Sequence, residues 1–372
     1  MLRMQRQGEE CIGGLFTFGC IADTQYADID NGTNFAGSRV RYFRNGLRVA
    51  REAVEAWRSL RTPFAFIANL GDVIDGRNAA LGTSRTALAS LFSALGPQST
   101  SDFSSFTINL VGNHELYNFA RKELEEGIDG FTTSSPPQCT NAEPRGTSYF
   151  TFPVQAAPSY RIVVLDTYAV STLRLGKGSP WDPDAVALCK SHNPNDITAQ
   201  TDFFVGLTGL DRRWVPFNGA LGEEQLTWLR TLLHHSAEKG EKVIMLSHVI
   251  THPLATPRQT SRTLLWDYDA LLAILKQYNG VVRLALCGHA HGEGYHYDEE
   301  SGTHHVALSS PLERGDEQPG NDQPQQEATS VPLGGKLDNY CTVTVLSDGG
   351  IEIVGHGSIL SRSLPPPAVS KI

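Results

Sequence analysis

Long apolar runs, paired cysteines and a surplus of basic residues are all missing from this chain. No stretch of the 372 residues approaches the roughly 20 apolar positions that a membrane helix needs. The six cysteines (Cys11, Cys20, Cys139, Cys189, Cys287 and Cys341) form no C-x-x-C pair and no dense framework, so a disulfide scaffold is excluded and a reducing compartment is expected. Cys20 and Cys287 lie inside apolar runs, where a buried free thiol is the ordinary state. The formal net charge of -9 leaves no basic face for nucleic acid. It does not exclude an anionic small molecule, because bound cations can reverse the local field.

Arg3 and Arg6 precede an apolar run at 15–22, but that run ends in Asp23-Thr24-Gln25. Cleavage there would remove those residues, so a secretory leader is not expected. The cytoplasm is the expected location. Ser370-Lys371-Ile372 at the end resembles a peroxisomal import address, which leaves such an organelle as the alternative.

What the chain does have is a repeated pattern. Strand-like runs at 15–22, 64–70, 106–111, 243–246 and 281–287 each stop at a metal-ligand residue. The stops are Asp23-Thr24-Gln25, Gly71-Asp72-Val73-Ile74-Asp75, Gly112-Asn113-His114-Glu115, Ser247-His248 and Gly288-His289-Ala290-His291. Between the first two runs, Phe43, Leu47, Ala50, Val54 and Trp57 recur at helical spacing, with arginines and Glu55 between them. Strand, helix, strand is a βαβ unit, so the strands are parallel and their ligand motifs share one sheet edge. Carboxylates, imidazoles and amides gathered there suit a two-metal hydrolytic site, and Asp72 can bridge two ions about 3.5–4 Å apart. A donor set of oxygen and nitrogen without thiolate suits Mn, Fe or a Zn-type ion over a structural cysteine site.

These motifs resemble the calcineurin-like metallophosphoesterases, with their D-x-H, G-D-x-x-D, G-N-H-D/E, H and G-H-x-H signature. The resemblance implies a four-layer αββα fold, α/β (α+β) in class, with two mixed β-sheets flanked by helices. It assigns one metal to Asp23, Gln25, Asp72 and His291, and the other to Asp72, Asn113, His248 and His289. It implies that His114, oriented by Asp75, protonates the leaving oxygen or stabilises the phosphoryl transition state. Gln25 stands where the common pattern has His; an amide oxygen is a harder and weaker donor and favours Mn. That departure narrows the resemblance to the Mn-dependent ADP-ribose/CDP-alcohol diphosphatase branch. Asn34 to Gly37, Gly76-Arg77-Asn78-Ala79, Glu115 to Phe119, His192-Asn193-Pro194-Asn195 and Phe217-Asn218-Gly219 also look like that branch.

The implied activity is hydrolysis of a nucleoside diphosphate derivative, ADP-ribose or a CDP-alcohol, to a nucleoside monophosphate and a phosphate ester. The metal core alone leaves open a phosphomonoesterase, a cyclic-nucleotide phosphodiesterase or a metal-bound scaffold without turnover. Phe35 is a candidate for stacking on a base, and His252 for lining the pocket, while Arg44 is expected to be solvated or in contact with a cap. His304 and His305 are expected on an alternating strand near the surface. The domain organisation expected is a flexible start at 1–12, one domain over 13–360 with a cap or loop insertion around 131–219, and a flexible tail at 361–372. The oligomeric state is not legible.

Overall fold

The computed structural model describes residues 13–34, 37–60, 62, 64–96, 106–126, 128, 149–199, 202–313 and 337–366. Its strands in chain order are β1 (Gly14–Ile21), β2 (Gly32–Thr33), β3 (Val40–Arg41), β4 (Phe64–Asn69), β5 (Phe106–Asn109), β6 (Phe150–Val154) and β7 (Ala157–Val164). They continue as β8 (Lys242–Leu246), β9 (Val282–Cys287), β10 (Gly294–Asp298), β11 (Thr303–Ala307), β12 (Cys341–Leu346), β13 (Ile351–Gly355) and β14 (Arg362–Leu364). One six-stranded sheet runs β14-β13-β12-β1-β4-β5 and the other β10-β11-β9-β8-β7-β6. Both are mixed: β1, β4 and β5 are parallel, as are β7, β8, β9 and β11, while the outer strands pair antiparallel.

Side-chain alternation explains the layering. Phe16, Phe18 and Cys20 of β1, Phe66 and Ala68 of β4, Ile244 and Leu246 of β8, and Leu284 and Leu286 of β9 share one buried core. In it Phe66 stacks on Phe18 at 4.7 Å and meets Phe152 of the other sheet edge-on at 5.8 Å, so this core lies between the sheets. The intervening residues Ile67, Val243, Met245 and Ala285 face a second core with Val49, Ala53 and Trp57 of the helix Asn45–Arg58 and Leu229 and Leu233 of the helix Gly222–Lys239. Each buried aromatic or branched side chain contributes about 1.5–3 kcal/mol. Two sheets face to face with helices outside make the four layers. Among the described residues no helix is long and apolar enough to cross a membrane.

Three local expectations change. Residues 150–164, within the span read as a cap insertion, form the hairpin β6–β7, and β7 is hydrogen-bonded to β8 inside the second sheet. The chain after 361 contains β14, which pairs with β13 and buries Leu364, so the sheet continues into the segment read as a tail. His304 and His305 are buried, because β11 is an interior strand between β10 and β9 and is covered on both faces. Arg44 is exposed and pairs with Asp28 and Asp30, in keeping with a solvated charge.

Candidate metal centre

The loops that follow β1, β4, β5, β8 and β9 meet at one edge of the sandwich. Backbone hydrogen bonds carry the strand pairing outward: Asp23 N–H donates to Gly71 O at 3.1 Å, Gln25 N–H to Asp72 O at 2.9 Å, and Gly288 N–H to His248 O at 3.0 Å. The turns are strained. Asp23, Gln25, Asp72, His289 and His291 all have positive φ, a region that non-glycine residues enter rarely and chiefly at functional sites. Two glycines permit the close approach. A Cβ on Gly112 would lie 2.2 Å from Asp72 Oδ1, and one on Gly288 would lie 2.4 Å from Asp23 Oδ2.

The convergence forms two donor groups with a common member. Ligand atoms of Asp72, His248 and His289 lie within 4.8 Å of one another, and so do those of Asp23, Asp72 and His291. All five side chains are buried. Gln25 Nε2 lies 3.0 Å from Asp72 Oδ2 and 2.8 Å from His291 Nε2. Asn113 opens the short helix Asn113–Asn118, and the next amide, His114 N–H, donates to Asp72 Oδ1 at 2.8 Å. The Tyr168 hydroxyl donates to Asn113 Oδ1 at 3.1 Å, and its ring packs 6.1 Å from His248. The structure therefore brings all seven sequence-predicted donors to one place.

Hydrogen bonds behind the histidines decide which nitrogen faces inward. His248 Nδ1 is 2.7 Å from Leu70 O, an obligate acceptor, so Nδ1 carries a proton and Nε2 is the nitrogen turned inward, 3.5 Å from Asp72 Oδ1. The Nδ2 group of Asn218 donates to Arg213 O and Arg262 O, which turns its Oδ1 toward His289 Nε2 at 2.8 Å. His289 is thus left with a free Nδ1. Glu313 Oε1 lies 3.2 Å from His291 Nδ1, which leaves Nε2 facing Asp23 Oδ1 at 3.6 Å. His114 has the reverse arrangement: the Gly76 amide donates to its Nδ1 at 2.8 Å, so the proton sits on Nε2, 3.9 Å from Asp72 Oδ2.

Burial and mutual charge shape the protonation states. Burial alone would raise the Asp72 carboxyl, yet the imidazoles of His248 and His114 hold it well below the usual carboxylate range. Burial alone would lower His248, yet the Asp72 and Asp23 carboxylates lift it to about 9. His289, buried beside His248, is held well below its ordinary value. His114 is lowered by burial, with Arg41 and His291 adding to the effect against Asp72 and Asp75. Asp75 Oδ2 is 3.6 Å from His114 Nδ1 but makes no hydrogen bond to it; the hydrogen bond at that nitrogen comes from Gly76.

These residues fit two divalent cations. The carbonyl oxygen Gln25 Oε1 and the nitrogen His248 Nε2 are buried polar atoms with no hydrogen-bond partner among the described residues. Rotating the Gln25 amide would turn Oε1 toward Asp72 and His291 and give a harder donor there. An oxygen and nitrogen set with a shared carboxylate and no thiol suits a pair of hard or borderline ions.

Four supporting residues had no role assigned from sequence. They are Asn218 and Glu313 behind the histidines, Tyr168 against Asn113, and Glu115. The buried Glu115 carboxylate accepts from the amides of Asp72 (2.8 Å), Val73 (2.8 Å) and Gly112 (2.9 Å) and so fixes the bridging loop. Glu115 and Asn218 stand within quoted stretches; Glu313 and Tyr168 do not. Phe35 and the C-terminal Ser370-Lys371-Ile372 lie outside the described residues. His252 is not placed among the donors; its ring stacks on His296 at 4.3 Å and lies 4.9 Å from His305.

Two helix-flanked mixed sheets carrying this donor cluster at their shared edge define a metallophosphoesterase. The chain belongs to the calcineurin-like phosphoesterase family, whose model matches residues 16–293. It is 35% identical over 312 residues to a manganese-dependent ADP-ribose/CDP-alcohol diphosphatase of Xenopus tropicalis, across 80% of this chain and 84% of the relative. It is 34% identical over 302 residues to the Oryza sativa subsp. japonica protein of the same description, across 80% and 84%. A dimetal phosphatase from Danio rerio superposes with a TM-score of 0.76 at 29% identity, covering 94% of this chain and 99% of that one.

Proposed function

We propose that the protein is a Mn-dependent hydrolase of nucleoside diphosphate derivatives, cleaving the phosphoanhydride of ADP-ribose or a CDP-alcohol to a nucleoside monophosphate and a phosphate ester. The observation that carries the reading is Asp72, a buried carboxylate common to both donor groups. We assign Asp23, Gln25, Asp72 and His291 to one ion and Asp72, Asn113, His248 and His289 to the other. Bound there, the ions would neutralise the diphosphate and lower the pKa of the attacking water. The relatives' described activity supports the choice of bond and of manganese.

His114 presents Nε2–H toward the centre. Its lowered pKa keeps the ring neutral near pH 7, so it acts as a hydrogen-bond donor to charge growing on the phosphoryl group or the departing oxygen. A phosphate ester leaves as an anion with its second pKa near 6, so departure needs no complete proton transfer. Beside the centre, half-buried Phe217 lies 5.9 Å from the His289 ring and meets Phe204 edge-on at 6.1 Å, a surface on which a base can stack. Cys20, Cys189, Cys287 and Cys341 are free and buried, which supports a reducing, cytosolic setting. A reporter fused to the last dozen residues tests organelle import as the alternative.

The deciding assay offers ADP-ribose, CDP-choline, a cyclic nucleotide and an aryl phosphomonoester, each with Mn or Mg, and identifies the products. AMP from ADP-ribose or CMP from CDP-choline, dependent on Mn, is expected. Turnover of the monoester or the cyclic nucleotide alone overturns the reading.

A further inference from the structure

The residue behind His291 comes from outside the span matched by the family model. Glu313 follows β11 at the end of a segment tied along both ligand loops. Ser310 Oγ donates to Asp23 O at 2.7 Å, and Ser310 N–H to His291 O at 3.2 Å. Tyr42 N–H donates to Leu312 O at 2.8 Å, and Arg41 forms an isolated antiparallel bridge with Glu313. The backbone therefore places the Glu313 carboxylate before any side-chain contact is counted. That carboxylate is only 2% exposed. Arg39 Nη1 donates to Oε1 at 2.9 Å and Arg41 Nε to Oε2 at 3.0 Å, and Oε1 faces His291 Nδ1 at 3.2 Å. Burying a carboxylate is costly unless it is paired, and the two arginines supply the pairing.

The three histidines assigned to metal differ in what stands behind them. His248 is backed by the Leu70 carbonyl and His289 by the neutral Asn218 amide; His291 alone of the three is backed by an anion. Each position has one neutral amide, Gln25 in one and Asn113 in the other, but only Gln25 stands where the common family pattern has an imidazole, and His291 shares its position. A carboxylate accepting the distal N–H of an imidazole fixes its tautomer and raises the basicity of the nitrogen that binds metal. The strengthened donor and the weak donor therefore fall in one position.

We propose that Glu313 is a positioning residue that offsets Gln25, acting through His291 to hold the ion assigned to Asp23, Gln25, Asp72 and His291. The inference rests on the two-metal reading above. It predicts a loss at one ion only. Replacing Glu313 leaves the second position intact, since its histidines have separate acceptors in Leu70 and Asn218. Arg39, which is one-third exposed and contacts Glu313 from the outer side, serves as the comparison.

The test titrates Mn into the metal-stripped full chain by calorimetry and follows the low-temperature electron paramagnetic resonance of the loaded protein. Wild type is expected to bind two ions and show a spin-coupled pair. Glu313→Gln is expected to weaken one ion by about 10–100-fold and to give a mononuclear signal at Mn concentrations that fill both positions in wild type. Arg39→Gln is expected to keep both ions, because it removes an ion pair but leaves the His291 acceptor. Should Glu313→Gln not fold, Glu313→Asp retains the charge for both arginines while drawing the carboxylate back from His291, and must show the same selective loss. Two ions bound as in wild type by the Glu313 variant overturn the inference alone. An equal loss in Arg39→Gln also overturns it, since the role would then be that of an anchor for β3. A wild type that binds fewer than two ions overturns the two-metal reading and this inference with it.

Discussion

The Gly76 amide donates to His114 Nδ1, and that bond sets which end of the imidazole carries its proton. Gly76 follows Asp75 in the same motif that supplies Asp72, so the loop that provides the bridging carboxylate also orients the donor beside it. His114 is absent from both donor groups. His114→Ala should therefore lower turnover by about 10²–10³-fold, the scale seen when one transition-state donor is removed. Mn content after dialysis should stay at the wild-type level. A variant that loses its metal would place His114 among the ligands instead.

Gln25 offers a harder and weaker donor than imidazole, and it is buried against Asp72 and His291. Gln25→His should tighten binding of softer ions such as Zn relative to Mn. Competition dialysis with both ions, followed by elemental analysis, reads the ratio directly. An unchanged Zn-to-Mn ratio would remove Gln25 as the source of metal preference.

Much of this centre was legible because each ligand motif ends an apolar run, and parallel strands joined by helices must gather those ends on one edge. The four layers came from the family resemblance rather than from the strand pattern itself. What escaped was non-local or locally ambiguous. β6 sits among residues rich in Pro, Ser, Asn and Gly, and although the apolar run at 161–165 reads as a strand, its place in the second sheet shows only through the pairing of β7 with β8, about eighty residues later in the chain. His304 and His305 read as surface alternation because nothing in a polar pair announces an interior strand covered on both faces. Glu313 carries no motif signal at all, and Asn218 stands only in a stretch that resembles the branch, with nothing to say what it touches. Their roles depend on where β11 and the segment after Trp214 return to the site.

Gly112 should be among the least replaceable residues. A Cβ there would lie 2.2 Å from Asp72 Oδ1 and 2.7 Å from the Asp72 amide nitrogen, and the neighbour is the bridging carboxylate and its backbone. Gly112→Ala should cost about 1–3 kcal/mol in the metal-stripped protein and displace Asp72 as well. Both Mn ions should bind more weakly, because Asp72 belongs to both donor groups. Chemical denaturation with chelator present measures the first effect, and Mn titration the second. Loss of one ion alone would contradict a shared carboxylate.

The second histidine group adds to the loss of stability in acid. His252 and His304 are lowered to about 4 by burial, with a neighbouring His296 or Arg283 adding to the effect, and buried His305 is held well below its ordinary value. Unfolded histidine titrates near 6.5. Between that pH and about 4 the unfolded chain binds more protons than the folded one, so stability is full above pH 6.5 and falls as the pH drops through this window. Each such histidine adds at most about 1.4 kcal/mol per pH unit to the loss. His252 Nδ1 accepts the Leu254 amide at 3.1 Å, which protonation of that nitrogen would break. With chelator present, the melting temperature should drop steeply from pH 6.5 to 4.5, and His252→Phe should flatten that slope even if it lowers the starting value. A variant that keeps the wild-type slope would show that His252 does not take up a proton on unfolding.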